Sequence, residues 1–199
     1  MSDTASLPSK WYLREQDNER YIYGIDCDSS NQSYNIFCTN FTSTWAERLS
    51  KGEIISKADD SGIRIDDEGL TLLIETFSLS KGDLNEYIEF RWTPDASLNG
   101  LEIKFKKSGY FDWTFDLTKL SDLNHIIFME ALNYQQFVNH DFLLHKIKEF
   151  EKMIESKDQF IYYLSENYIS LNGDEMIKKY KKNNQANADS LDKYDKQKW

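Results

Sequence analysis

Residues 143–168 read LLHKIKEFEKMIESKDQFIYYLSENY, and their spacing decides the architecture of the chain. Leu143, Ile147, Phe150, Ile154, Lys157, Ile161, Leu164 and Tyr168 follow one another at gaps alternating between four and three. A repeat of about 3.5 residues places such positions on one stripe of a helix, the signature of a left-handed coiled-coil seam. Lys157 is the polar interruption. It either specifies register and parallel pairing, or lays its aliphatic stem along the seam with its ammonium in water.

The helical pattern begins at Ser121 and meets no proline or glycine before Gly173. At about 1.5 Å per residue it makes a rod on the order of 70 Å long, too long to lie across a domain of this size. A second copy of the chain is therefore expected to cover the stripe. The alternative is an amphipathic helix buried in a larger single domain, for which few apolar segments remain. Upstream, Leu123, Ile126, Ile127, Tyr134, Phe137 and Val138 form a broader apolar surface, expected to pack partly on the head and partly on the second copy.

Residues 1–118 read differently. Trp11-Tyr12-Leu13, Tyr21-Ile22-Tyr23-Gly24-Ile25 and Tyr34-Asn35-Ile36-Phe37-Cys38 are short β-prone runs, the last two separated by the turn signal DSSNQS. Thr44 and Glu47 have capping-box spacing, and Trp45, Leu49 and Ile54 fit one helical face, so a helix is expected from Thr44. A second helix is expected after Asp66 and Asp67, with Leu70, Leu73, Ile74 and Phe77 along one side. The period then changes to two. Ile88, Phe90 and Trp92 alternate with charges, as do Leu101, Ile103 and Phe105, then Phe111, Trp113, Phe115 and Leu117 with polar residues. The fold class expected is α+β: an antiparallel head, sandwich-like or barrel-like, with inserted helices, followed by a coiled-coil stalk. The expected divisions are a head over 1–118, a dimerisation stalk over 119–171 and a flexible polar tail over 172–199.

Composition is compatible with this plan. Apolar residues make up 40% and aromatics 15%, enough to build a core. No apolar run approaches the roughly 20 residues of a membrane span, and MSDTASLPSK lacks a signal-peptide core, so a soluble intracellular protein is expected. Cys27 and Cys38 read as strand residues in a reducing compartment. The net charge is −10, but residues 172–199 carry seven lysines against five acids. Nucleic acid would therefore be met by the tail, if at all. Lys178, Lys179, Lys181 and Lys182 read either as a weak nuclear-localisation or phosphate-binding patch or as a solvated helix end. The stretch Lys193-Tyr194-Asp195-Lys196-Gln197-Lys198-Trp199 places a tryptophan in a polar tail, either by accident or as a docking anchor.

Catalytic patterns are missing. No glycine loop cradles phosphate, and no H-E-x-x-H or G-x-S-x-G occurs. His125, His140 and His145 do not share a helical face suited to a metal. Asp59, Asp60, Asp66, Asp67 and Glu68 read as turns and helix caps ahead of a cation site. Neither a cofactor nor an enzymatic activity is expected.

Three segments carry a resemblance. Thr39-Asn40-Phe41-Thr42-Ser43-Thr44-Trp45-Ala46-Glu47, Ser108-Gly109-Tyr110-Phe111-Asp112-Trp113-Thr114-Phe115, and residues 143–163 with Lys157-Asp158 near their middle are together similar to the XLF (Cernunnos) family of non-homologous end-joining factors. The first looks like the family's strand-to-helix entry with its helix tryptophan, the second like its last head strand, the third like its stalk. That resemblance implies a homodimeric nuclear scaffold in DNA double-strand break repair, whose heads meet the stalk protein that carries DNA ligase IV. It places the head contact at Arg64, Ile65 and Tyr110, with tyrosine standing where the family pattern has an aliphatic residue. It also implies that Lys193, Lys196, Lys198 and Trp199 dock on the Ku heterodimer, with DNA ends contacted weakly or indirectly. Asp192 and Asp195 dilute that basic tail. The competing function is a centriolar or cytoskeletal head-and-coil assembly protein; those usually carry longer heptad runs than one stopping near Tyr168.

Overall fold

The computed structural model describes residues 7–16, 18–78, 87–92, 100–106, 112–185 and 193–195, with backbone alone for 90–92. The chain forms two units, 1–134 and 135–199.

The first unit is built on seven strands: β1 (Tyr12–Gln16), β2 (Glu19–Asp28), β3 (Ser33–Thr39), β4 (Thr44–Leu49), β5 (Ile88–Trp92), β6 (Gly100–Phe105) and β7 (Trp113–Lys119). They make one antiparallel sheet in the order β1-β2-β3-β4-β7-β6-β5. Between β4 and β5 the chain inserts two helices, α1 (Lys51–Asp60) and α2 (Asp67–Ser78). The expected meander, the inserted helices and the three period-2 runs are thus present; Phe111 lies outside the described residues. The halves join narrowly, Trp45 facing Lys119 and Ala46 facing Thr118. The sheet curls there, bringing non-adjacent β3 and β7 into ring contact: Tyr34 meets Phe115 edge-on with centroids 5.3 Å apart.

Period-2 alternation then sorts the side chains. Tyr23, Tyr34, Ile36, Cys38, Leu101, Ile103, Phe105, Phe115 and Leu117 point into the curl. They meet Ile54 and Ala58 of α1 and Leu70, Leu73, Ile74 and Phe77 of α2, all buried. Asp66 caps α2 as its sequence suggests, its carboxylate accepting from Gly69 N–H at 2.8 Å.

One expected helix starts later than its sequence suggested. Thr44, Trp45 and Glu47 lie on β4, and the capping box forms at Ser50 and Glu53 instead. The Trp45-to-Leu49 spacing of four fits a strand and a helix alike, and pairing with β3 settles it: Cys38 faces Trp45 and Tyr34 faces Leu49. Trp45 is therefore a strand residue, not the helix tryptophan that the resemblance implied.

The other face of the sheet is covered by the beginning of α3 (Asp122–Asn172). Phe128 and Leu132 are buried there with Phe37, against Trp11, Ile22, Ala46 and Leu120. Gly24 lets the chain before β1 cross this face: a Cβ on it would stand 2.7 Å from Pro8 Cβ and 2.8 Å from the Lys10 carbonyl oxygen. The second unit contains the rest of α3 and α4 (Glu175–Asn183). Gly173 ends α3 in a left-handed conformation, φ +78°, as glycine allows. Within the segment expected to be a flexible tail, α4 is a helix.

Candidate functional site

A group of polar side chains in the head is the natural place to look for chemistry. Trp113 Nε1–H donates to the Tyr34 hydroxyl at 3.2 Å, and that hydroxyl donates to Glu47 Oε2 at 2.9 Å. Lys57 pairs with Glu47 and, at 2.8 Å, with Asp116. Burial first, then the Glu47 carboxylate, drive ionisation of Tyr34 far above its ordinary range. Each member spends its hydrogen-bonding capacity on another, which ties β3, β4, α1 and β7 together. This arrangement holds the fold together. Among the described residues no group of three or more metal-ligating side chains forms.

The surfaces carry more. Arg64 and Ile65 lie in the extended link between α1 and α2. Arg64 is exposed and Ile65 half-buried against the head core. A cation is thus held beside a seated aliphatic side chain, a combination suited to a protein contact. Tyr110, the third residue expected at this contact, lies outside the described residues.

Where α3 begins, Ser121 accepts from His125 N–H at 2.8 Å and from Asn124 N–H at 3.3 Å, starting the helix. Leu120 N–H donates to the Thr44 carbonyl at 2.8 Å, carrying β7 straight into it. Thr39 donates its proton to the Ser43 carbonyl, and Thr44 donates to Thr39 Oγ1. Thr44 Oγ1 also hydrogen-bonds His125 Nδ1, at 2.8 Å. Thr39 and Thr44 are both fully buried. Replacing Thr44 with valine removes the hydroxyl that bonds His125 Nδ1 and is expected to lower the unfolding free energy by about 1–3 kcal/mol in urea, whereas serine preserves it. Equal midpoints for the valine and serine variants would remove this anchoring role.

Sequence reasoning missed Phe128 and Leu132, the side chains that seat α3. The residues it chose, Leu123, Ile126, Ile127, Tyr134, Phe137 and Val138, are all exposed. Both sides of the helix are apolar over this stretch, so periodicity alone could not say which one meets the sheet. Phe41 was missed as well. It is an exposed aromatic at φ +70° in the turn between β3 and β4, held there by its N–H on Thr39 Oγ1 and by Asn40 Oδ1, which accepts from Thr42 and Ser43.

In the second unit, Leu143, Ile147, Phe150, Ile154, Ile161, Leu164 and Tyr168 remain between 39% and 59% exposed. Lys157 is exposed among them. A continuous apolar stripe of this extent is what a soluble chain keeps for a partner. At the far end of α3, Met176, Ile177, Tyr180 and Lys181 of α4 face Ile161, Ser165 and Tyr168 across a cleft of about 380 Å³. Beyond α4, Tyr194 N–H donates to Asp158 Oδ2 at 2.6 Å. Lys193 belongs to this folded-back segment, while Lys196, Lys198 and Trp199 lie outside the described residues.

Sequence comparison matches the XLF N-terminal domain over residues 10–119. The chain belongs to the XLF family. The NEJ1 C-terminal domain matches residues 121–199, so the two together cover the head, α3 and α4. XLF proteins are non-enzymatic structural factors of non-homologous end joining, and this chain is accordingly a DNA-repair factor of that pathway, with the nuclear role that the pathway implies. No individual curated protein matches it. Among solved structures, an N-terminal fragment of Leishmania SAS-6 containing parts of its coiled-coil domain is similar at 10% identity, covering 81% of this chain and 95% of that one with a TM-score of 0.40. So loose a likeness carries no argument, and the centriolar reading gains nothing from it.

Proposed function

We propose that this XLF-family chain is a homodimeric scaffold that holds broken DNA ends together and supports the ligase IV complex through its heads. The observation that carries the reading is the exposed heptad stripe over residues 143–168 in an end-joining factor. Without a partner, side chains such as Phe150 and Ile161 leave much of their apolar area in water. Burying each one stabilises association by about 1.5–3 kcal/mol, which over a stripe of this length sustains a dimer.

The head contact is assigned to Arg64, Ile65 and Tyr110. Its partner is the stalk protein that carries ligase IV, and repeated contacts between two dimeric scaffolds build a sleeve along the DNA. The tail residues Lys193, Lys196, Lys198 and Trp199 dock on Ku, with the tryptophan as anchor. With a net charge of −10, the chain approaches DNA ends through those partners.

Tyr110→Asp tests the head assignment. In a pull-down with the ligase IV-associated stalk protein of the same organism, the wild type is expected to bind and the variant to lose at least about tenfold in affinity, as hot-spot aromatics do. Binding that survives Tyr110→Asp unchanged excludes that residue. A folded wild type that does not bind removes the ligase IV partnership itself.

A further inference from the structure

Among the described residues Asn18, Gln32 and Phe41 have left-handed backbone without being glycine, and Phe41 is the apolar one. Its φ is +70° and its ring is 52% exposed. A bulky side chain is strained in that conformation, where glycine sits freely and asparagine nearly so. Burial does not compensate, since the ring belongs to neither core cluster of the head. The turn is nevertheless held in one shape. Phe41 N–H donates to Thr39 Oγ1 at 3.0 Å, and Asn40 N–H to the Ser43 carbonyl at 3.3 Å. Asn40 Oδ1 accepts from the N–H groups of Thr42 and Ser43, at 3.2 and 2.9 Å, and from the Thr42 hydroxyl at 2.8 Å. Strain that a surrounding network keeps in place, at an exposed aromatic, marks a contact residue ahead of a packing one.

A charged recess adjoins this turn. Asn40 Nδ2 donates to Glu19 Oε2 at 3.2 Å, where the Tyr21 hydroxyl also donates at 2.6 Å. These bonds, Tyr21's first, hold the Glu19 carboxyl below its ordinary range, so it is ionised at neutral pH. Glu19 shares a recess of about 390 Å³ with Glu15 and Arg20. Glu15 and Arg20 pair with each other at 2.9 Å, which leaves Glu19 as the carboxylate of the recess without a cation among the described residues.

We propose that Phe41 and Glu19 form a second protein-docking surface of the head, for a partner offering an apolar pocket with a lysine or arginine on its rim. The ring enters the pocket as an anchor, and the partner's cation enters the recess to meet Glu19. This surface differs from the head contact assigned to Arg64, Ile65 and Tyr110. There the chain supplies the cation; here it supplies the anion, so one partner patch does not serve both. A bare ring also suits stacking on a nucleic-acid base, but the adjoining carboxylate repels phosphate and favours protein. The inference goes beyond the scaffold reading and uses it only as a readout.

The test compares the wild type, Phe41→Gly and Glu19→Gln as full chains. Each is purified for its mass and melting temperature. Each is also returned at equal abundance to cells that lack the protein, and rejoining of a linearised plasmid is measured. Phe41→Gly is expected to keep the wild-type mass and to melt no lower, because backbone strain is relieved and no core packing is lost. Its rejoining is expected to fall at least about tenfold, as loss of a hot-spot aromatic implies. Glu19→Gln keeps the shape and removes the charge, and is expected to cost about threefold.

Phe41→Gly that rejoins as well as the wild type overturns the docking surface. So does Phe41→Gly that melts well below the wild type, because the ring is then a packing element. Binding of single-stranded oligodeoxythymidine by the wild type, lost in Phe41→Gly and strengthened in Glu19→Gln, replaces the protein partner with nucleic acid and overturns it as well. A wild type that restores no rejoining is a separate outcome: it removes the scaffold reading, and this inference with it.

Discussion

Ile154→Asp combined with Ile161→Asp is expected to turn a dimer into a monomer with an intact head. Ile154 lies on the heptad stripe, where each dimer would bury two such side chains. Replacing them forfeits about 1.5–3 kcal/mol apiece and places two carboxylates against each other in a drying interface. At 1.4 kcal/mol per factor of ten, the dissociation constant rises by about three orders of magnitude. The head lies in a separate unit and is expected to unfold at the wild-type temperature. Light scattering at micromolar concentration separates the cases. A double variant that keeps the dimer mass would show that the stripe is not the contact.

Phe115→Ala is expected to be the most destabilising single change in the head. Phe115 is fully buried in the curl of the sheet. Its ring lies 5.3 Å from that of Tyr34 and 5.0 Å from that of Phe77, so it joins β3, β7 and α2 at one point. Truncation removes the transfer free energy of the ring and opens a cavity between elements fixed by their own hydrogen bonds. The expected cost is about 3–5 kcal/mol, a large part of the stability of an ordinary domain. Urea unfolding followed by tryptophan fluorescence would show a midpoint shifted strongly downward. A loss below about 1 kcal/mol would mean that the sheet collapses onto the gap.

Different parts of this architecture were legible in the sequence to different degrees, for identifiable reasons. The strands β5 to β7 were plain because alternation at period two has no helical counterpart when it persists through Leu101, Ile103 and Phe105. The end of α3 was plain because Gly173 is followed by a polar run. Thr44 to Leu49 misled, since a spacing of four satisfies both periods; the deciding fact, pairing with β3, is non-local. Glu47 looked like a capping residue because a buried carboxylate is rare, and only the fold supplies the Tyr34 hydroxyl and Lys57 that make its burial tolerable.

The interaction surfaces were legible as stripes and not as places. The heptads at 143–168 are a property of one helix, and so they could be read directly. Which face of α3 meets the sheet depends on Phe37, Trp11 and Ala46 arriving from distant strands. The fold-back of α4 depends on the left-handed turn at Gly173, which brings Met176 and Tyr180 to face Ile161, Ser165 and Tyr168. Neither can be recovered from a spacing rule.

End joining in cells that lack the protein tests the central claim most directly. Rejoining of a linearised plasmid is to be compared after restoring either the wild type or the Ile154→Asp, Ile161→Asp variant at equal abundance. The scaffold account predicts recovery with the wild type and none above background with the monomeric variant. Full rejoining by a variant shown to be monomeric would contradict it, because a single head without its partner cannot bridge two ends.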